Sequence, residues 1–126
     1  MEYSEYESQA STIKIEDITS NTDNANILQR LKENDPSFKS MWFRRNTADD
    51  EDDYIPTGAY DAGWLGYFVG KSHSLQTIVL ESEIHQTTLT EEQIESFCRG
   101  FCHNTSIGTM QLLTLDLFGA TLILLK

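Results

Sequence analysis

Basic residues are scarce in this chain. Nine Lys and Arg stand against 20 Asp and Glu, a formal net charge of −11. So few cations leave no basic stripe to track a phosphate backbone or an anionic bilayer, which argues against nucleic acid and membrane surfaces as partners. Cysteine is scarcer still, with two in 126 residues, too few for a disulfide framework. Cys98 and Cys102 stand four apart. On a helix this places them on one side, near the upper Cα separation a disulfide tolerates and with badly aimed Cβ vectors. They read as free thiols and suit a reducing compartment. Long apolar runs are missing too. MEYSEYESQASTIKIED at the N-terminus has neither the basic nor the apolar region of a signal peptide. LLTLDLFGATLILLK at the other end carries Asp116 and falls short of the roughly 18 apolar residues of a membrane span. The expectation is a soluble, cytoplasmic chain with one modest core.

Catalytic signatures are absent as well. There is no G-x-S-x-G elbow, no phosphate-binding P-loop and no G-x-G-x-x-G, so neither an enzyme nor a bound cofactor is expected. The segment CRGFCHNTS gathers two thiols and His103, but paired zinc cysteines favour C-x2-C with a second ligand pair elsewhere. Haem attachment requires C-x-x-C-H, and the spacing here is C-x3-C-H. The two cysteines read as small apolar residues on a helix face that crosses a neighbour closely, in the places that Gly66 and Gly70 take on the preceding helix. The five consecutive acids Asp49 to Asp53 lack the alternation, central Gly and terminal Glu of a calcium loop. They read as a solvated, self-repelling run. No metal site is expected.

What is present is a recurrent pattern. Residues 1–22 are polar and acidic and read as a disordered tail, in which Ile13, Ile15 and Ile18 are the only material for a short capping strand. A helix over NILQRLKEN, capped by Asp23 or Asn24, stops at Pro36. SFKSMWFRR reads as a strand, and residues 46–60 as an acidic loop insertion. GWLGYFVGKS is a second helix and SLQTIVLES a second strand. Thr90 and Gln93 form a capping box for a third helix, EEQIESFCRGFCH, which leads into the strand SIGTMQLLTLDL. Three segments superimpose: SFKSMWF from Ser37, SLQTIVL from Ser74 and SIGTMQL from Ser106, starting 37 and 32 residues apart. Each Ser is followed by apolar residues at the first, fourth and sixth positions after it. The helices share the register, with Leu28, Leu65 and Phe97 nine residues before each Ser.

This pattern, over roughly residues 24–115, resembles the leucine-rich repeat of the ribonuclease-inhibitor type. Departures are visible: the family's Asn or Cys after the strand is matched by Asn46 but not by Glu83 or Leu115, and both spacings exceed the usual repeat. The resemblance implies an α/β fold over residues 23–126, a leucine-rich-repeat solenoid of helix–strand repeats with a short parallel sheet. Strands are expected near 39–44, 76–82 and 108–115. It also implies a concave face on which Ser40, Trp42 and Arg44 stand beside Thr77, Val79 and Glu81, and these beside Thr109, Gln111 and Leu113. The function that follows is a non-enzymatic protein–protein interaction module whose partner is another protein, with Trp42 and Arg44 as anchors. The alternatives are a recognition fragment of a larger enzyme complex, such as a ubiquitin-ligase adaptor, or a truncated repeat protein without independent function.

Overall fold

Three side-chain oxygens, each two residues ahead of one of the superimposed serines, set where the strands begin. Asp35 Oδ1 accepts from the Ser37 amide at 2.9 Å, Ser72 Oγ from the Ser74 and Leu75 amides at 3.3 and 3.1 Å, and Asn104 Oδ1 from the Ser106 and Ile107 amides at 2.8 and 2.7 Å. Such local bonds offer the backbone an alternative to continuing a helix, so the chain turns and runs out extended. In the computed structural model residues 2–43, 53–82, 90–107 and 109–114 are described. The helices are α1 (Tyr3–Gln9), α2 (Ile15–Ile18), α3 (Thr22–Lys32), α4 (Ala59–Lys71) and α5 (Glu91–Phe101). The strands are β1 (Ser40–Phe43), β2 (Asp53–Tyr54), β3 (Thr77–Ser82) and β4 (Thr109–Thr114). They form one parallel sheet in the order β2-β1-β3-β4.

The core lies between the sheet and the helices. Met41 and Ile78, paired across β1 and β3, are fully buried against Ile27, Leu28, Leu31, Trp64, Leu65 and Phe97. Helices α4 and α5 approach more closely than ordinary side chains permit. A methyl built on Gly66 would collide with the Phe97 carbonyl, and one on Gly100 would lie 2.5 Å from Tyr67 Cα. Helix α5 opens on the capping box expected from its sequence, with Thr90 Oγ1 accepting from the Gln93 amide at 3.1 Å and Gln93 Oε1 from the Thr90 amide at 2.9 Å. Helix α3 begins earlier than the sequence suggests. Its cap is Asn21, which accepts from the Asn24 amide at 2.9 Å. Asn24 itself is buried and turned elsewhere, to the backbone of Ile55.

The leucine-rich-repeat solenoid is overturned. Helix dominates the chain, and three helices precede β1 rather than one. Strand β2 belongs to none of the superimposed segments, yet it takes the place beside β1. A solenoid stacks like units through like interfaces, and this chain does not.

Residues 1–22, expected as a disordered tail, also depart from expectation. Residues 3–9 and 15–18 are helical, so Ile15 and Ile18 belong to a helical turn rather than a strand. The reason is aromatic and aliphatic burial. Tyr6 meets the Trp64 ring edge-on at 4.8 Å between centroids, and Ile18 joins the core. The expected loop at 46–60 is likewise structured in its second part, residues 46–52 lying outside the described set. Tyr54 is fully buried, and Asn24 clamps Ile55 with bonds of 2.7 and 3.0 Å. Asp61 accepts from the Thr57 and Gly58 amides at 3.0 and 2.9 Å and from Tyr54 Oη at 3.2 Å. Among the described residues no helix is long and apolar enough to cross a membrane.

Candidate functional site

Along β1 and β3 the pleat separates neighbours. Ser40 is exposed where Met41 is fully buried, and Thr77 is half-buried where Ile78 is fully buried. The buried residues meet the helical layer, and Ser40 and Thr77 lie on the opposite side of the sheet. That opposite side is the candidate site.

The backbone register brings most of the predicted residues into rows. Ser40 pairs with Thr77 and Thr77 with Thr109; Trp42 pairs with Val79 and Val79 with Gln111; Glu81 pairs with Leu113. Arg44 lies outside the described residues. One member of the Trp42 row was missed: Asp53 of β2 pairs with Trp42 on its other side. The signal for it was weak, because only the apolar pair Tyr54–Ile55 after the acidic run marks an extended segment.

The cysteine segment resolves differently from its expected role. Both thiols are free; Cys98 is half-buried at the margin of the core and Cys102 is exposed. The tight crossing of α4 and α5 is made on α5 by Gly100 and the backbone of Phe97. The small-residue face therefore exists on α4, at Gly66 and Gly70, but the cysteines do not supply its counterpart. Burial pushes the Cys98 thiol above its ordinary range, and the neighbouring Cys102 adds to this. Cys102 Sγ donates to the Arg99 carbonyl at 3.3 Å. Among the described residues no three His, Cys, Asp or Glu side chains are grouped to hold a metal.

Tyr54, Asp61 and Asn104 are buried polar groups built into the frame, whereas Trp64 Nε1 is buried without a partner among the described residues. Burial raises the Tyr54 phenol far above its usual range, with the Asp61 carboxylate contributing, so this phenol stays protonated and donates to Asp61. Burial likewise pushes Tyr67 up to about 12. Asn104 Nδ2 donates to the Val69 carbonyl at 2.6 Å, tying the start of the Ser106 segment to the end of α4. These residues position backbone, and what they leave for chemistry is a surface. Comparison with protein-family models, with curated proteins and with solved structures finds no match for this chain.

Proposed function

We propose that the chain is a non-enzymatic interaction module that offers the sheet face away from the helices to another protein. The observation that carries this reading is the pleat at Ser40–Met41 and Thr77–Ile78. It puts one phase of the strands into the core and leaves the other phase, at the described positions, accessible or partly so. Trp42, Val79 and Gln111 share the phase of Ser40 and Thr77 and form the central row. Trp42, between Asp53 and Val79 in the backbone register, is of the residue type in which interface hot spots are most enriched. The two free thiols and the charge of −11 support an intracellular protein partner rather than nucleic acid or a membrane.

The test starts with affinity capture by the whole chain, followed by titration of the captured partner against folded variants. Trp42→Ala is expected to weaken binding by about 2 kcal/mol or more, roughly thirtyfold. If Trp42 instead serves only the fold, its replacement lowers the melting temperature and leaves affinity per folded molecule unchanged. Unchanged affinity in Trp42→Ala, Val79→Asp and Gln111→Ala alike would remove this face from consideration.

A further inference from the structure

On the helical side, remote from the sheet face, a groove of about 300 Å3 lies between α1, the start of α4 and α5. Two hydroxyl-bearing residues line its floor. Tyr6 is 3% exposed and Ser96 is 8% exposed. They converge over Gly63, where an added methyl would strike Tyr6 Oη and lie 3.7 Å from Ser96 Cβ. Neither hydroxyl has a hydrogen-bond partner among the described residues, although other hydroxyls of the core are engaged, as Tyr54 is with Asp61 and Ser106 with Leu75. Trp64 Nε1 is the one fully buried side-chain polar atom without a partner among the described residues, so the Tyr6 and Ser96 oxygens keep contact with solvent and are open to an incoming hydrogen-bond donor.

The rim supplies charge and a ring face. Tyr60 is 49% exposed and lines the groove, the one large apolar side chain so exposed among the described residues. Arg99 is already engaged by Glu95 at 3.5 Å, whereas Glu92 makes no ion pair among the described residues. The groove is therefore net negative, within a chain of charge −11. Hydroxyl oxygens as acceptors, a spare carboxylate and an exposed aromatic face are complementary to a cation carrying N–H donors. The volume holds a single side chain. We propose that this groove binds the ammonium or guanidinium group of a lysine or arginine side chain on a basic partner peptide.

The test uses the whole chain and three probes: acetylated, amidated Gly-Arg-Gly, the same peptide with Lys, and inorganic phosphate. Binding is read from amide NMR shifts. Saturating shifts confined to residues 3–9, 58–63 and 91–99 are expected with the cationic peptides, and the tighter of the two identifies the preferred cation. Glu92→Gln should weaken binding about fivefold or more, and Tyr6→Phe and Ser96→Ala each about threefold. Ser96→Ala leaves the aromatic packing untouched and so remains informative if Tyr6→Phe disturbs the fold. Glu16→Gln makes the same charge change on α2, away from the groove, and should have little effect. Three results would overturn the proposal: phosphate binding in place of the cations, equal weakening by Glu16→Gln and Glu92→Gln, or indifference to both hydroxyl deletions.

Discussion

Replacing Gly66 by alanine tests the crossing on which the helical layer depends. In an unconstrained helix interior this change stabilises by about 1 kcal/mol, because glycine loses more backbone freedom on folding. Here the new methyl would strike the Phe97 carbonyl oxygen and lie 2.8 Å from its carbon and 2.9 Å from Phe97 Cα. Ordinary carbon contacts are about 3.5–4.0 Å. The obstructing atoms are backbone on both sides, so no rotamer change relieves them, and the helices must separate by roughly 1 Å. Overpacking of this kind costs about 1–3 kcal/mol. Taking the upper value for a backbone clash and subtracting the propensity gain leaves a net loss of about 2 kcal/mol. For a chain of this length that is a fall of about 8 °C in Tm. Gly100→Ala attacks the same crossing from α5, where the methyl would lie 2.5 Å from Tyr67 Cα and N. The two losses should not add, since helices already separated by one methyl accommodate the second. Gly58→Ala, with nothing within 4 Å of the new atom, serves as a control. Thermal and urea unfolding by circular dichroism measures five proteins: the parent, the three single variants and the Gly66→Ala, Gly100→Ala double variant. A Gly66→Ala variant as stable as the parent, or full additivity with Gly100→Ala, would refute the reasoning.

Three further outcomes follow from the same geometry. With a disulfide reagent at mildly alkaline pH, one thiol, Cys102, should react quickly and Cys98 slowly, because burial both shields Cys98 and disfavours its thiolate; equal rates in the two single-cysteine variants would contradict this. The Lys71–Glu7 pair should shape both pH limbs. The Lys71 hydrogen bond holds Glu7 below its ordinary value of 4.5, so that contribution is present above 4.5 and is lost as pH falls through the lower folded value. Glu7 in turn raises Lys71 above its ordinary 10.5, so that contribution is whole below 10.5 and fades as pH rises through the raised value; Glu7→Gln should flatten both limbs of melting temperature against pH, and unaltered limbs would count against the pair. Asn104→Ala should lower stability by about 2–3 kcal/mol, because it strands the Ser106 and Ile107 amides and the Val69 carbonyl at a buried position, and a loss under 0.5 kcal/mol in urea would show that those groups find other partners.

The strand starts were legible because their cause is local. Asp35, Ser72 and Asn104 each stand two residues ahead of a serine and turn the backbone by a bond within three residues. A single sequence displays such a device openly. Burial at Met41 and Ile78 then follows from strand alternation, and the rows through Ser40 and Trp42 follow from aligning the starts. Strand β2 was not legible, since two residues cannot show a period and Tyr54 is held from afar by Asp61 and by the core. Nor were the helices at residues 3–9 and 15–18. Tyr3 and Tyr6, three apart, were the available sign of a buried face, set among acids that suggest a solvated tail.

The solenoid failed at a different level, and the residues at equivalent positions show why. Eight and four residues before the three serines stand Gln29 and Glu33, then Gly66 and Gly70, then Cys98 and Cys102; six before stand Leu31, Phe68 and Gly100. The α4–α5 crossing works because Gly66 and Gly70 meet Gly100 and the backbone beside it. Transferred to α3 and α4, the same crossing would press Gln29 and Glu33 against Phe68, which no backbone approach of that kind accommodates. Helices α3 and α4 therefore cannot repeat the α4–α5 interface. The chain meets the mismatch with other material: Asn24 reaches across to Ile55, β2 is added at the sheet edge, and α1 sets Tyr6 against Trp64. A repeated turn fixes where strands begin, whereas a repeated interface is needed to make a solenoid, and only the first of these recurs here.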